Sequence, residues 1–151
     1  MKKIWLVIII SSILLTFTGC GDPAAIYWKG AKPEVTRFSD LRSKFLELTQ
    51  AQTEGINPTY KSDFGKIISE TEIGLSNLKL LKPPPEYSQL NDELVGAYED
   101  MRSSAQAMVS AMDDYESGFP STMDYLNKGL NYVNQWVDHW KNVGKLKPTE
   151  P

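Results

Sequence analysis

Two residue types that do most protein chemistry occur once each in this chain of 151 residues: one histidine, His139, and one cysteine, Cys20. A nucleophilic triad needs a base beside a serine or cysteine, and a lone His139 has no serine assigned to it by spacing. Structural zinc sites take four Cys or His ligands and catalytic ones three protein ligands, a set the composition does not supply. No Glu-x-x-His pair of the di-iron type occurs. Haem ligation by His139 with Met101, Met108 or Met112 lacks an attachment motif, and methionines at core spacing read as gap-fillers. The acidic clusters Asp92-Glu93, Glu99-Asp100 and Asp113-Asp114-Tyr115-Glu116 sit within helical pattern and lack the Gly-centred alternation of a calcium loop. No glycine-rich phosphate loop is present. The residues therefore nominate no catalytic, metal or cofactor-binding site, and the expectation is a protein that is not an enzyme and carries no cofactor.

Charge excludes a further class. Sixteen basic side chains face nineteen acidic ones, with no basic stripe of the kind nucleic acid requires. With one cysteine no intramolecular disulfide can form, so the core must hold the fold alone.

The chemistry that remains is at the amino terminus. Met1-Lys2-Lys3 is a short positive segment, and Ile4 to Phe17 (IWLVIIISSILLTF) is an apolar run of 14 residues. That run is shorter than the roughly 20 residues a membrane-spanning helix needs and suits the apolar region of a secretory signal. Phe17-Thr18-Gly19-Cys20 follows. It resembles the lipobox of bacterial lipoproteins, in which small residues precede an invariant cysteine; Phe17 stands where that family usually has leucine. The whole resembles small, uncharacterised bacterial lipoproteins that carry a helical bundle behind a lipobox. The resemblance covers about the first 20 residues. It implies that residues 1–19 are a signal peptide, that the Cys20 thiol receives a diacylglycerol, and that cleavage before Cys20 makes it the first mature residue. A single acyl chain binds a membrane only marginally and two hold stably. The mature domain would then carry 14 basic and 19 acidic side chains, a net charge of −5. Its place would be the extracytoplasmic face of the cell membrane, or the outer membrane of a two-membrane host, since Gly21 is not the aspartate that resembles an inner-membrane retention signal.

Residues 20–32 read as the lipidated cysteine and a flexible tether, with Gly21, Pro23 and Gly30 and no sustained period. Residues 33–144 read as one helical domain, and 145–151 as a frayed tail. Four amphipathic helices are expected. The first, 33–52, takes Pro33 as its first-turn proline and Val35, Phe38, Leu41, Phe45 and Leu48 as its stripe. The second, 58–81, has Asn57 as cap and Phe64, Ile68, Thr71, Leu75, Leu78 and Leu81 inward, ending at Pro83-Pro84-Pro85. The third, 85–117, runs from Tyr87 through Leu90, Leu94, Ala97, Met101, Ser104, Met108 and Ala111 to Tyr115. The fourth, 121–144, has Ser121 and Asp124 in the positions of a capping box, an inward stripe of Met123, Leu126, Leu130, Val133, Val137 and Trp140, and Gly144 as its stop. Short connections make neighbours antiparallel, so the expected fold is all-α, an antiparallel up-down four-helix bundle.

Two features bear on function. Beside its stripe the fourth helix carries a second row, Tyr125, Tyr132, Trp136, His139 and Val143, which reads either as deep burial between two neighbouring helices or, in Tyr125, Tyr132, Trp136 and His139, as a candidate partner patch. The small-residue tract Ser103, Ser104, Ala105, Ala107, Ser110 and Ala111 allows either close helix approach or a cavity among Met101, Met108 and Met112. The expected function is a membrane-tethered, non-enzymatic binding or interaction module with an envelope protein as partner. The alternative is a carrier of a small apolar ligand or cofactor in the bundle interior.

Overall fold

The computed structural model describes residues 22–53 and 55–148; the expected signal peptide, Cys20 and residues 149–151 lie outside them. The described residues form four α-helices and no strand: α1 (Pro23–Thr53), α2 (Lys61–Leu80), α3 (Ser88–Ser117) and α4 (Thr122–Leu146), with short 3-10 turns at Pro58–Tyr60 and Pro85–Tyr87. Each helix packs antiparallel to the one before it, giving the expected up-down-up-down bundle. The α3–α4 pair is the most intimate, and no helix among the described residues is long and apolar enough to cross a membrane.

Helix α1 departs from expectation. The flexible tether assigned to residues 20–32 is replaced from Pro23 onward by three turns of helix. Asp22 caps them: its Oδ1 accepts from the Ala24 amide at 3.0 Å, and its carbonyl accepts from the Ile26 amide at 3.0 Å. Pro23 then takes the first helical position, where the missing N–H costs nothing. Pro33 is inside the helix, where a proline costs about 3 kcal/mol. Burial on the amino-terminal side offsets that. Tyr27 and Ala31 are buried, Tyr27 stacks on Tyr87 with centroids 5.3 Å apart, and its hydroxyl donates to Asn91 Oδ1 at 3.2 Å.

The other boundaries follow punctuation. Asn57 Oδ1 accepts from the Thr59 amide at 3.1 Å, capping a 3-10 turn that passes directly into α2. Gly118, at φ 71°, closes α3 in the left-handed conformation glycine adopts without strain. Two expectations fail at α4. The Ser121–Asp124 capping box is absent, because the Ser121 hydroxyl donates to Asp114 instead. Gly144 does not stop the helix, which runs on to Leu146, so the tail assigned to 145–151 begins two residues later than expected.

The core is built on aromatic rings. Phe38 meets Tyr98 at 5.0 Å and Trp136 at 6.0 Å edge-on, and Trp140 at 4.7 Å; Phe45 meets Phe64 at 5.7 Å and Trp136 at 5.9 Å. These rings join α1 to α4 across the bundle and hold the two helices apart, whereas small residues let α3 and α4 close up. Ser104 Oγ donates to the Gly129 carbonyl at 2.7 Å, and a Cβ on Gly129 would fall 2.9 Å from Met108 Cε.

Candidate functional site

The partner patch expected on α4 is not gathered into one exposed surface. Trp136 is fully buried and belongs to the core. The inward line of α4 runs Gly129, Trp136, Val143, one residue per heptad, with Leu126, Leu130, Val133, Val137 and Trp140 packed on its flanks. Met123, expected inside, is 57% exposed. The other three patch residues fall on one side row spaced seven apart. Tyr125 and Tyr132 border a shallow cleft of about 170 Å³ against Ser103, Gln106, Ala107 and Ser110 of α3. The small-residue tract thus opens outward as a groove, while Met101, Met108 and Met112 are buried in the core.

His139, the third of that row, meets two carboxylates of α3 on the α3–α4 seam. Its Nδ1 lies 2.7 Å from Glu93 Oε2 and its Nε2 3.6 Å from Asp100 Oδ2. Glu93, Gly96 and Asp100 follow at spacings of three and four, so α3 presents all three on one face. Gly96 makes room: a Cβ there would come within 2.8 Å of the imidazole. Burial raises the Asp100 carboxyl above the usual carboxylate range, the facing His139 pulls it back down, and Glu99 adds to the rise. Gln135, Asp138 and Asn142 complete a polar groove of about 340 Å³. Both ring nitrogens are turned to α3 carboxylates, so the arrangement ties α3 to α4. No cluster of three or more metal-binding side chains occurs among the described residues.

A second polar centre was not anticipated. Glu34 is only 4% exposed, and its carboxylate is shared. Oε1 accepts from Asn77 Nδ2 at 2.8 Å and Oε2 from Arg37 Nε at 3.1 Å, while Arg37 Nη1 donates to Glu70 Oε2 at 2.5 Å. The Glu34 carbonyl accepts the buried Tyr98 hydroxyl at 2.8 Å. Burial and the neighbouring Glu34 charge push the Tyr98 phenol up, so it stays a donor. One acidic residue thereby joins α1, α2 and α3, with every charge paired. Its signal was present: Glu34 falls between Ala31 and Phe38 on the inward spacing of α1.

A cleft of about 470 Å³ lies between α1 and the end of α4, lined by Trp28, Lys32, Val35, Lys145, Lys147 and Pro148 among others. Of the eight exposed large apolar side chains among the described residues, four gather at the α3–α4 turn, Tyr115, Phe119, Met123 and Tyr125; the others are Ile26, Leu46, Ile73 and Leu80. No protein-family model matches the chain, and neither the curated proteins nor the solved structures hold a significant match.

Proposed function

We propose that the chain is a lipoprotein of the bacterial cell envelope. In this reading residues 1–19 direct export, Cys20 carries the lipid, and the bundle is a non-enzymatic interaction module on the extracytoplasmic face. The observation that carries it is the run Phe17-Thr18-Gly19-Cys20 behind a 14-residue apolar stretch and the positive Met1-Lys2-Lys3 start. Support comes from where α1 begins. Asp22 caps α1 and Pro23 opens it, so the proposed cleavage and lipidation point lies two residues before the helix cap. Three residues of chain reach at most about 11 Å, so acyl chains on Cys20 would hold the first turn of α1 close to the bilayer. The partner surface we propose is the cluster of Tyr115, Phe119, Met123 and Tyr125 at the α3–α4 turn, on the end of the bundle remote from Cys20.

The test is mass spectrometry of the amino-terminal peptide from natural membranes, with fatty-acid labelling of wild type and Cys20→Ala. The expected result is a diacylglyceryl-modified Cys20 as first residue, and a Cys20→Ala protein that takes no label and leaves the membrane fraction. An unmodified Cys20, or a mature protein still starting Met1-Lys2-Lys3, ends the reading. Photo-crosslinking from position 119 in the lipidated protein then tests the partner surface against position 73 on α2.

A further inference from the structure

The end of the bundle from which α1 starts has a surface unlike the rest of the molecule. Side-chain packing defines it. Tyr27 stacks on Tyr87, a Cβ on Gly30 would meet Leu81, and Trp28 and Lys32 share the large cleft with Lys145 and Lys147. The beginning of α1, the end of α2, the beginning of α3 and the end of α4 therefore come together here. Six exposed lysines lie on this pole: Lys29, Lys32, Lys79, Lys82, Lys145 and Lys147. The carboxylates among them are Asp22, which caps α1, with Glu86 and Asp92. In a chain whose acidic side chains outnumber basic ones nineteen to sixteen, this pole has the opposite balance, six lysines against three carboxylates. Two apolar side chains stand among the lysines, Ile26 at 61% and Leu80 at 81% exposure, the latter the most exposed of the large apolar residues. The far pole carries Asp113, Asp114, Glu116 and Asp124 beside the aromatic cluster, with Lys61 paired to Asp113 and Glu116 and Lys44 and Lys66 paired to Asp63.

We propose that the lysine-rich pole is a second membrane contact, which docks on anionic phospholipid headgroups while Ile26 and Leu80 enter the interface between them. The proposal rests on the lipoprotein reading, which brings this pole within about 11 Å of the acyl chains. Basic side chains near an anionic leaflet are attracted within a Debye length, and exposed apolar side chains find an apolar phase only if the surface is lipid. The lipid on Cys20 holds the molecule; the pole sets its orientation, with the helices upright and the aromatic cluster pointing away.

The experiment uses the full mature lipidated protein in vesicles of phosphatidylcholine alone or mixed with phosphatidylglycerol. In a Trp28→Phe background, which removes the native tryptophan of this pole, a tryptophan placed by Leu80→Trp is read against one placed by Phe119→Trp, with bromine-labelled lipid as quencher. The expected result is quenching at position 80 only, requiring phosphatidylglycerol and lost at high salt. Replacing Lys79, Lys82, Lys145 and Lys147 by glutamine should lower the docking equilibrium constant by about five-fold per lysine, with helix content unchanged. Two results overturn the proposal while leaving the lipoprotein reading intact: no quenching at position 80 in anionic vesicles from which the protein still does not dissociate, or equal quenching at positions 80 and 119. An unmodified Cys20 removes the lipoprotein reading, and this proposal with it.

Discussion

Replacing Gly74 with alanine tests whether the packing between α2 and α3 is as tight as the structure makes it. A Cβ built at position 74 falls 2.4 Å from Cε1 and 2.5 Å from Cζ of Tyr98, more than 1 Å inside the roughly 3.5 Å at which carbon atoms rest. The ring has nowhere to go: Tyr98 is 0% exposed, Phe38 lies edge-on at 5.0 Å, and the hydroxyl is tied to the Glu34 carbonyl at 2.8 Å. Overpacking of this kind costs about 1–3 kcal/mol. Displacing the phenol from its acceptor adds about 1 kcal/mol, and replacing a helical glycine returns at most about 1 kcal/mol. The net expectation is a loss of about 2 kcal/mol, or a Tm lower by about 7 °C at this chain length. Gly65, on the same helix, has nothing within 4 Å of a built Cβ. Gly65→Ala should therefore stabilise by about 0.5–1 kcal/mol through helix propensity alone. Thermal and urea unfolding followed by circular dichroism decide between them. In a Tyr98→Ala background Gly74→Ala should turn mildly stabilising, because only the helix-propensity gain remains, giving a coupling of about 3 kcal/mol. The reasoning is refuted if both glycine variants shift Tm in the same direction, or if removing the ring leaves the penalty in place.

Ser104→Ala removes the hydroxyl from the Gly129 carbonyl, and unfolding in urea should show a loss of about 1 kcal/mol with an unchanged m-value; Ser104→Leu should cost more, because α3 and α4 cannot part to admit it. The Tyr27 phenol is pushed up from 10.0 to about 12, by burial first and then by the Asp92 carboxylate and Tyr87. A proton held more tightly in the folded state stabilises fully below about pH 10, and that stabilisation is lost as pH rises through about 12. Phenolate absorbance developing near pH 12 should disappear in Tyr27→Phe, and the alkaline decline in stability should be shallower in that variant.

The four helices and their order were legible because proline and glycine mark the turns and each helix repeats its apolar residues at three and four. What was misread had physical causes. Asp22-Pro23 is the same cap-and-proline signature as Asn57-Pro58, yet Pro33, with a longer apolar stripe after it, was taken as the start; the stacking of Tyr27 on Tyr87 that offsets an internal proline is a contact between residues sixty apart. On α4 two apolar rows compete, and counting large side chains favours the row of Met123 and Leu130. The true centre contains Gly129, whose value lies in having no side chain where Met108 arrives. Of the two readings open for Trp136, burial between neighbours and a place in a partner patch, the structure shows the first: it is the largest fully buried side chain among the described residues. The His139 setting was invisible because its carboxylates come from another helix, and Ser121 lost its capping role to Asp114 for the same reason. Glu34 was passed over because a charge on an inward spacing is read as a surface residue until its partners are known.

The early start of α1 has a mechanical consequence. With a slack leader the domain would swing through a hemisphere, and anything binding it could do so at many heights. If Cys20 carries the proposed lipid, the joint to a helix that begins at Pro23 would be too short for that. The altitude of Phe119 is then set by helix length alone, which for the 30 residues of α3 is about 45 Å. Adding one heptad to every helix would raise it by about 10 Å with nearly unchanged facing. Such a molecule is a spacer of defined stature, and a partner's reach from its own anchorage would have to match it.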